Sequence, residues 1–144
     1  MGFLNWFQSN ESAEDSTQLD LLEDNQQLSK RRRVDGAIVN RDFRDAIHGS
    51  GGSQKAYPKA VIAETKELFG CELDELYQST GGKKGNRGTL PEAAQKAYMA
   101  SEIRATHELG RTEFYDCDNP DQVDRKIVST TRAAAKETRK WLPW

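Results

Sequence analysis

Apolar positions along most of the chain beyond residue 40 recur at three- and four-residue spacing, which places one stripe on each helix and predicts helices rather than strands. Phe43, Ala46 and Ile47 share one face of a first short helix over 40–48, with Asn40 as its cap and Gly49 at its stop. GSGGS at 49–53 then reads as a flexible connector. A second helix is predicted from Pro58 to Phe69, with Gly70 beyond it and Val61, Ile62, Thr65, Leu68 and Phe69 turned inward. Residues 72–78 form a further short helix with Leu73, Leu76 and Tyr77 inside. Thr89, Pro91 and Glu92 suit the start of a helix that continues to about Leu109. Its stripe of Ala94, Ala97, Tyr98, Ser101, Ala105 and Leu109 is mostly small, and Met99 and Ile103 widen it. Asn119 and Pro120 open a last helix over about 121–141, with Val123, Ile127, Val128, Thr131, Ala134 and Ala135 inside. Only Ala37, Ile38 and Val39 hint at strand alternation. The expected fold class is all-α, an irregular bundle of four to five helices over residues 35–144.

The first 34 residues follow another pattern. Residues 1–8 concentrate Phe3, Leu4, Trp6 and Phe7 in a patch too short to be a stable helix unless it docks on something. Residues 9–29 are polar and acidic with scattered leucines, which predicts a disordered linker with at most a transient helix around 19–27. A basic run, Lys30-Arg31-Arg32-Arg33, closes the segment. Hydrophobic residues make up 35% of the 144 and charged ones 31%, a balance that agrees with part of the chain staying unpacked. Charge is divided unevenly: six acids and no bases in 1–29 give −6, while 17 acids and 21 bases in 30–144 give +4. An acidic tail on a mildly basic body either keeps the protein soluble or competes with a polyanion for that body. No apolar run is long enough for a membrane span, and Trp6 stands where a myristoylation signal wants Ser or Thr, so a cytoplasmic protein is expected.

Chemistry-bearing patterns are sparse. The Gly-rich stretch at 81–89 lacks the order of a nucleotide-binding P-loop. Asp45 with His48, or His107 with Cys117, falls short of a metal ligand set, so neither a metal nor any cofactor is expected. Glu64, Glu67, Glu72 and Glu75 read as a solvated helical face. Cys71 and Cys117 read as reduced thiols, and no enzymatic activity is expected. What remains is cationic. Four glycines with Lys83, Lys84 and Arg87 suit phosphate oxygens, and Lys126, Arg132, Lys136, Arg139 and Lys140 form the outer face of the last helix.

The stretch from Tyr57 to about Phe114 resembles the helical module that follows the DNA-binding domain in phage antirepressor-like and damage-inducible D-like proteins. The resemblance lies in Leu68-Phe69-Gly70, Leu76, Asn86-Arg87, Leu90, Glu102, Thr106 and Leu109, over about 58 of the 144 residues. It implies an inward-facing Glu102, and it carries no catalytic motif. The N-terminal DNA-binding domain of such proteins has no counterpart in this chain. Together with the cationic patches, this gives the expectation of a non-enzymatic regulatory or accessory protein of phage, plasmid or stress-response type that contacts nucleic acid. The alternative is an adaptor for a protein partner, anchored by Phe3, Trp6 and Phe7 at one end and Trp141 and Trp144 at the other.

Overall fold

A computed structural model of the chain describes residues 2–11 and 22–144. The body of the expected acidic linker, residues 12–21, lies outside the described residues, as do the side chains of the basic run at 30–33. The described residues form six α-helices and no strand: α1 (Phe3–Glu11), α2 (Leu22–Gly49), α3 (Ala56–Phe69), α4 (Leu73–Thr80), α5 (Glu92–Arg111) and α6 (Pro120–Arg139), with one 3-10 turn at Arg87–Thr89. The all-α class holds. Among these residues no helix is long and apolar enough to cross a membrane.

Several boundaries follow local chemistry that the sequence displays. Asn119 caps α6, its side chain accepting from the Gln122 amide at 3.0 Å, and Pro120 occupies the first turn. Gly70 ends α3 in the left-handed region at φ 69°, a conformation glycine adopts without strain. α2 departs from expectation. It is one helix of 28 residues, so Asn40 lies in its interior and Ala37, Ile38 and Val39 are helical. Its first half carries no apolar stripe, and the helix is fixed to the body farther along by Phe43 and Ile47, both buried.

The connector after α2 is pinned, not flexible. The Gly52 amide donates to the Ile47 carbonyl, and Asp124 of α6 accepts from both the amide and the hydroxyl of Ser53. Gly52 must lack a side chain, because a Cβ there would come within 2.9 Å of Ile47 and Ile127. α5, in turn, starts at Glu92, and Thr89 serves the loop ahead of it: its hydroxyl donates to the Asn86 carbonyl at 2.6 Å and accepts from the Lys83 amide at 2.8 Å.

Small inward residues let α3, α5 and α6 approach closely. Ala60 and Ala63 of α3, Ala97, Ser101 and Ala105 of α5, and Thr131, Ala134 and Ala135 of α6 are all buried. The threonine hydroxyls would be costly in such a core, but each returns a hydrogen bond to its own helix, Thr131 to the Ile127 carbonyl and Thr138 to that of Ala134. α3 buries Val61, Thr65, Leu68 and Phe69 as its stripe predicts, and departs from it at two positions. Ile62 turns outward at 43% exposure, and Glu64 is fully buried among Ala60, Val61, Thr65, Leu68 and Phe69. Ile103 of α5, expected inside, is likewise exposed.

Candidate functional site

Construction of the site begins in the Gly-rich loop. Asn86 accepts from the Gly88 amide through its side chain, which closes the 3-10 turn and directs the next side chain, Arg87, inward. Arg87 does not stand on the surface with Lys83 and Lys84. Its Nη1 meets Oε1 of Glu102 at 2.7 Å, and its guanidinium lies 4.1 Å over the Tyr98 ring. The same Glu102 oxygen accepts from Asn40 of α2 at 3.2 Å, and Asn40 also donates to the Tyr57 hydroxyl at 2.9 Å. The loop and α2 therefore meet at one carboxylate of α5, with Tyr57 of α3 one hydrogen bond further out.

Behind Glu102 lies Glu64, buried beside it and Ser101. Both carboxyls are buried, at 0% and 1% exposure. Burial, and after it the negative charge of Glu102, hold the Glu64 carboxyl well above the usual carboxylate range, and Arg87 only partly offsets them. Glu64 is accordingly the neutral member of the pair with a proton to offer, and neither of its oxygens nor Oε2 of Glu102 has another hydrogen-bond partner among the described residues. Burial would lower the Arg87 guanidinium, but the charge and hydrogen bond of Glu102 more than compensate and hold it firmly cationic. Burial raises the Tyr98 phenol, which shares a 2.7 Å hydrogen bond with Thr65.

The remaining expected cations are dispersed. Lys84 pairs with Asp74 at 2.6 Å, Lys126 with Asp116 at 2.8 Å and Lys140 with Glu137 at 2.9 Å. Asp116 and Glu137 are lowered by these hydrogen bonds. Arg139 donates to the carbonyls of Trp144 and Glu67, tying the chain end to α3. Lys83, Arg132 and Lys136 are exposed with no carboxylate at ion-pair distance among the described residues. Arg132 helps to line an open groove of about 470 Å³ between α3 and α6, where Lys59 and Arg125 join it. Neither belongs to the cationic set expected from the sequence: Lys59 stands on α3, and Arg125 adjoins Lys126 on α6 itself. Of the two acids in that groove, Asp124 is occupied by Ser53.

The cationic loop and the cationic groove are not brought together. Tyr57 and Val61 face the Arg87 side, whereas Lys59 lies in the groove, and two residues along α3 correspond to about 200° of rotation. α3 thus separates the two.

The aromatic ends dock on the body and on each other. Phe3 is fully buried, with ring centroids 4.7 Å from Trp144, 5.1 Å from Phe69 and 5.7 Å from Phe7. Trp6 lies 5.1 Å from Trp144, whose indole N–H donates to the Leu68 carbonyl at 2.6 Å. Trp141 stays outside at 83% exposure. His107 is exposed on α5 and does not join Glu102. Burial, with Glu75 and Glu72 nearby, pushes the Cys71 thiol up to about 11, away from thiolate chemistry. Among the described residues no three His, Cys, Asp or Glu side chains gather at metal-binding distance. No family model, curated protein or solved structure matches the chain.

Proposed function

We propose that this is a non-enzymatic regulatory or accessory protein that contacts nucleic acid along α6. The observation that supports this most is the stripe Arg125, Arg132 and Lys136, flanked across the groove by Lys59. Spacings of seven and four residues keep the three α6 cations on one side of the helix over about 16 Å. No described carboxylate stands at ion-pair distance from any of them. A row of solvated cations of this length matches a phosphate backbone, which carries one charge per roughly 3.4 Å of each strand. The phage, plasmid or stress-response setting rests on the resemblance of residues 57–114 alone. Arg87 takes no part in this contact, since it is occupied by Glu102, and Lys83 contributes at most one charge from the other side of α3.

The test is the affinity of a short DNA duplex for three forms of the protein at low salt. Replacing Arg125, Arg132 and Lys136 together by Gln is expected to weaken binding at least tenfold, while replacing Lys83 and Lys84 by Gln changes it less than threefold. Equal losses from the two sets, or no binding by the unaltered protein, would overturn the proposal.

An adaptor role is the second reading, and a single residue favours it. With Phe3, Trp6, Phe7 and Trp144 packed together, Trp141 is the one of the five expected anchors that stays exposed, in a shallow depression it lines with Leu142, Lys96 and Arg104. Trp141→Ala separates the readings: it leaves DNA affinity unchanged if α6 binds nucleic acid, and it removes partner binding if the chain is an adaptor.

A further inference from the structure

A cavity of about 500 Å³ opens beside the Arg87–Glu102 pair, on the side of α3 opposite the cationic groove. Its size falls within the range of small-molecule sites, roughly 300–1,000 Å³. Val61, Leu73 and Met99 give it apolar walls, and the Tyr98 ring adds an aromatic one. Gly36 on α2 leaves room at the rim, since a Cβ there would touch only the Met99 side chain, at 3.7 Å.

Of the polar groups around this cavity, Tyr57, Arg87 and Arg44 have hydrogens to spare, and Glu102 has one oxygen, Oε2, without a partner among the described residues. The Tyr57 hydroxyl already accepts from Asn40 at 2.9 Å and from Arg44 at 3.4 Å, so both of its lone pairs are engaged and its own hydrogen is left to donate. Arg87 Nη2 is buried without a hydrogen-bond partner among the described residues. Arg44 stacks on Tyr57 at 4.4 Å and keeps further N–H groups at the mouth. Buried donors left in this state are expensive unless something accepts from them. The charges give a sign: Arg44 and Arg87 against the Glu102 carboxylate leave one net positive charge, with Glu64 neutral behind.

We infer that this cavity binds a small organic monocarboxylate, its single negative charge held by Arg87, Arg44 and the Tyr57 hydroxyl and its flat or branched apolar body set against Val61, Leu73, Met99 and the Tyr98 ring. A dianionic phosphate fits less well, because only one positive charge remains uncompensated. The site is independent of the α6 surface and stands or falls apart from the nucleic-acid proposal.

Titration of the full chain, followed by amide NMR shifts, tests it with phenylacetate and 4-methylpentanoate as probes and phenylacetamide and inorganic phosphate as controls. Saturable shifts at Gly36, Asn40, Tyr57 and Gly88 are expected for the carboxylates at concentrations up to about 10 mM. Arg44→Ala, at the exposed mouth, is expected to weaken binding about tenfold. Gly36→Leu is expected to fill the cavity and abolish the shifts while leaving the fold intact. Equal binding of the amide, no saturation by either carboxylate, or shifts confined to α6 would each overturn the inference.

Discussion

Glu64 is a carboxyl held neutral in a helical interior, and that state has a consequence for pH. Its folded pKa lies above the unfolded one, so the folded chain holds this proton more tightly than the unfolded chain does. The stabilisation is complete below the ordinary glutamate range. It declines as pH rises through that range, by up to about 1.4 kcal/mol per pH unit, until Glu64 itself ionises beside Glu102. Glu64→Gln keeps a donor toward Glu102 and removes the titration. Thermal unfolding between pH 5 and 8 is expected to show a flatter profile for this variant and a higher Tm than the unaltered protein at pH 8. Parallel profiles would contradict the assignment of the proton. Arg87→Ala leaves both carboxyls without their cation and is expected to cost about 3 kcal/mol or more in chemical denaturation. Part of this centre was legible in the sequence. Glu64 stands three residues after Val61 and four before Leu68, which is the spacing of the buried stripe, but four glutamates in twelve positions made a solvated face the simpler inference. The glycine-rich loop predicts Arg87 at the surface, whereas the 3-10 turn closed by Asn86 places it inward.

Among the elements, α3, α4, α5 and α6 appear close to where their stripes and caps placed them. Asn119 is a clear case: Asn119→Ala is expected to lower stability by about 1 kcal/mol through loss of the cap. α2 and α1 were less legible, for different reasons. The first half of α2 has no sustained apolar period, so the sequence supports no more than a transient helix around 19–27 there, and its firm reading starts near Phe43 and Ile47. α1 satisfied the condition the sequence set for it, since residues 1–8 needed a surface to dock on and found one at Phe69 and Trp144. Because Phe3 fills that contact completely, Phe3→Ala is expected to cost about 3 kcal/mol, measured by denaturant unfolding at constant m. A loss under 1 kcal/mol would mean that α1 adds little to the core.

At the scale of the whole molecule, the fold sorts its cations into two populations. Arg87 goes inside, where it compensates buried carboxyls and borders a cavity; Lys59, Arg125, Arg132 and Lys136 stay in solvent on the far side of α3. Neither composition nor net charge contains that division, which arises from the way α3, α5 and α6 pack through small residues. It also separates the two functions proposed, so that loss of one leaves the other measurable. The most direct measurement is the salt dependence of duplex DNA binding, because each phosphate neutralised releases counterions. Three to four contacts from the α6 surface are expected to give a logarithmic slope near −3 and a loss of about 40- to 150-fold between 50 and 200 mM salt. A slope near zero, or one left unchanged when Arg125, Arg132 and Lys136 are replaced by Gln, would contradict the claim that this face meets a polyanion.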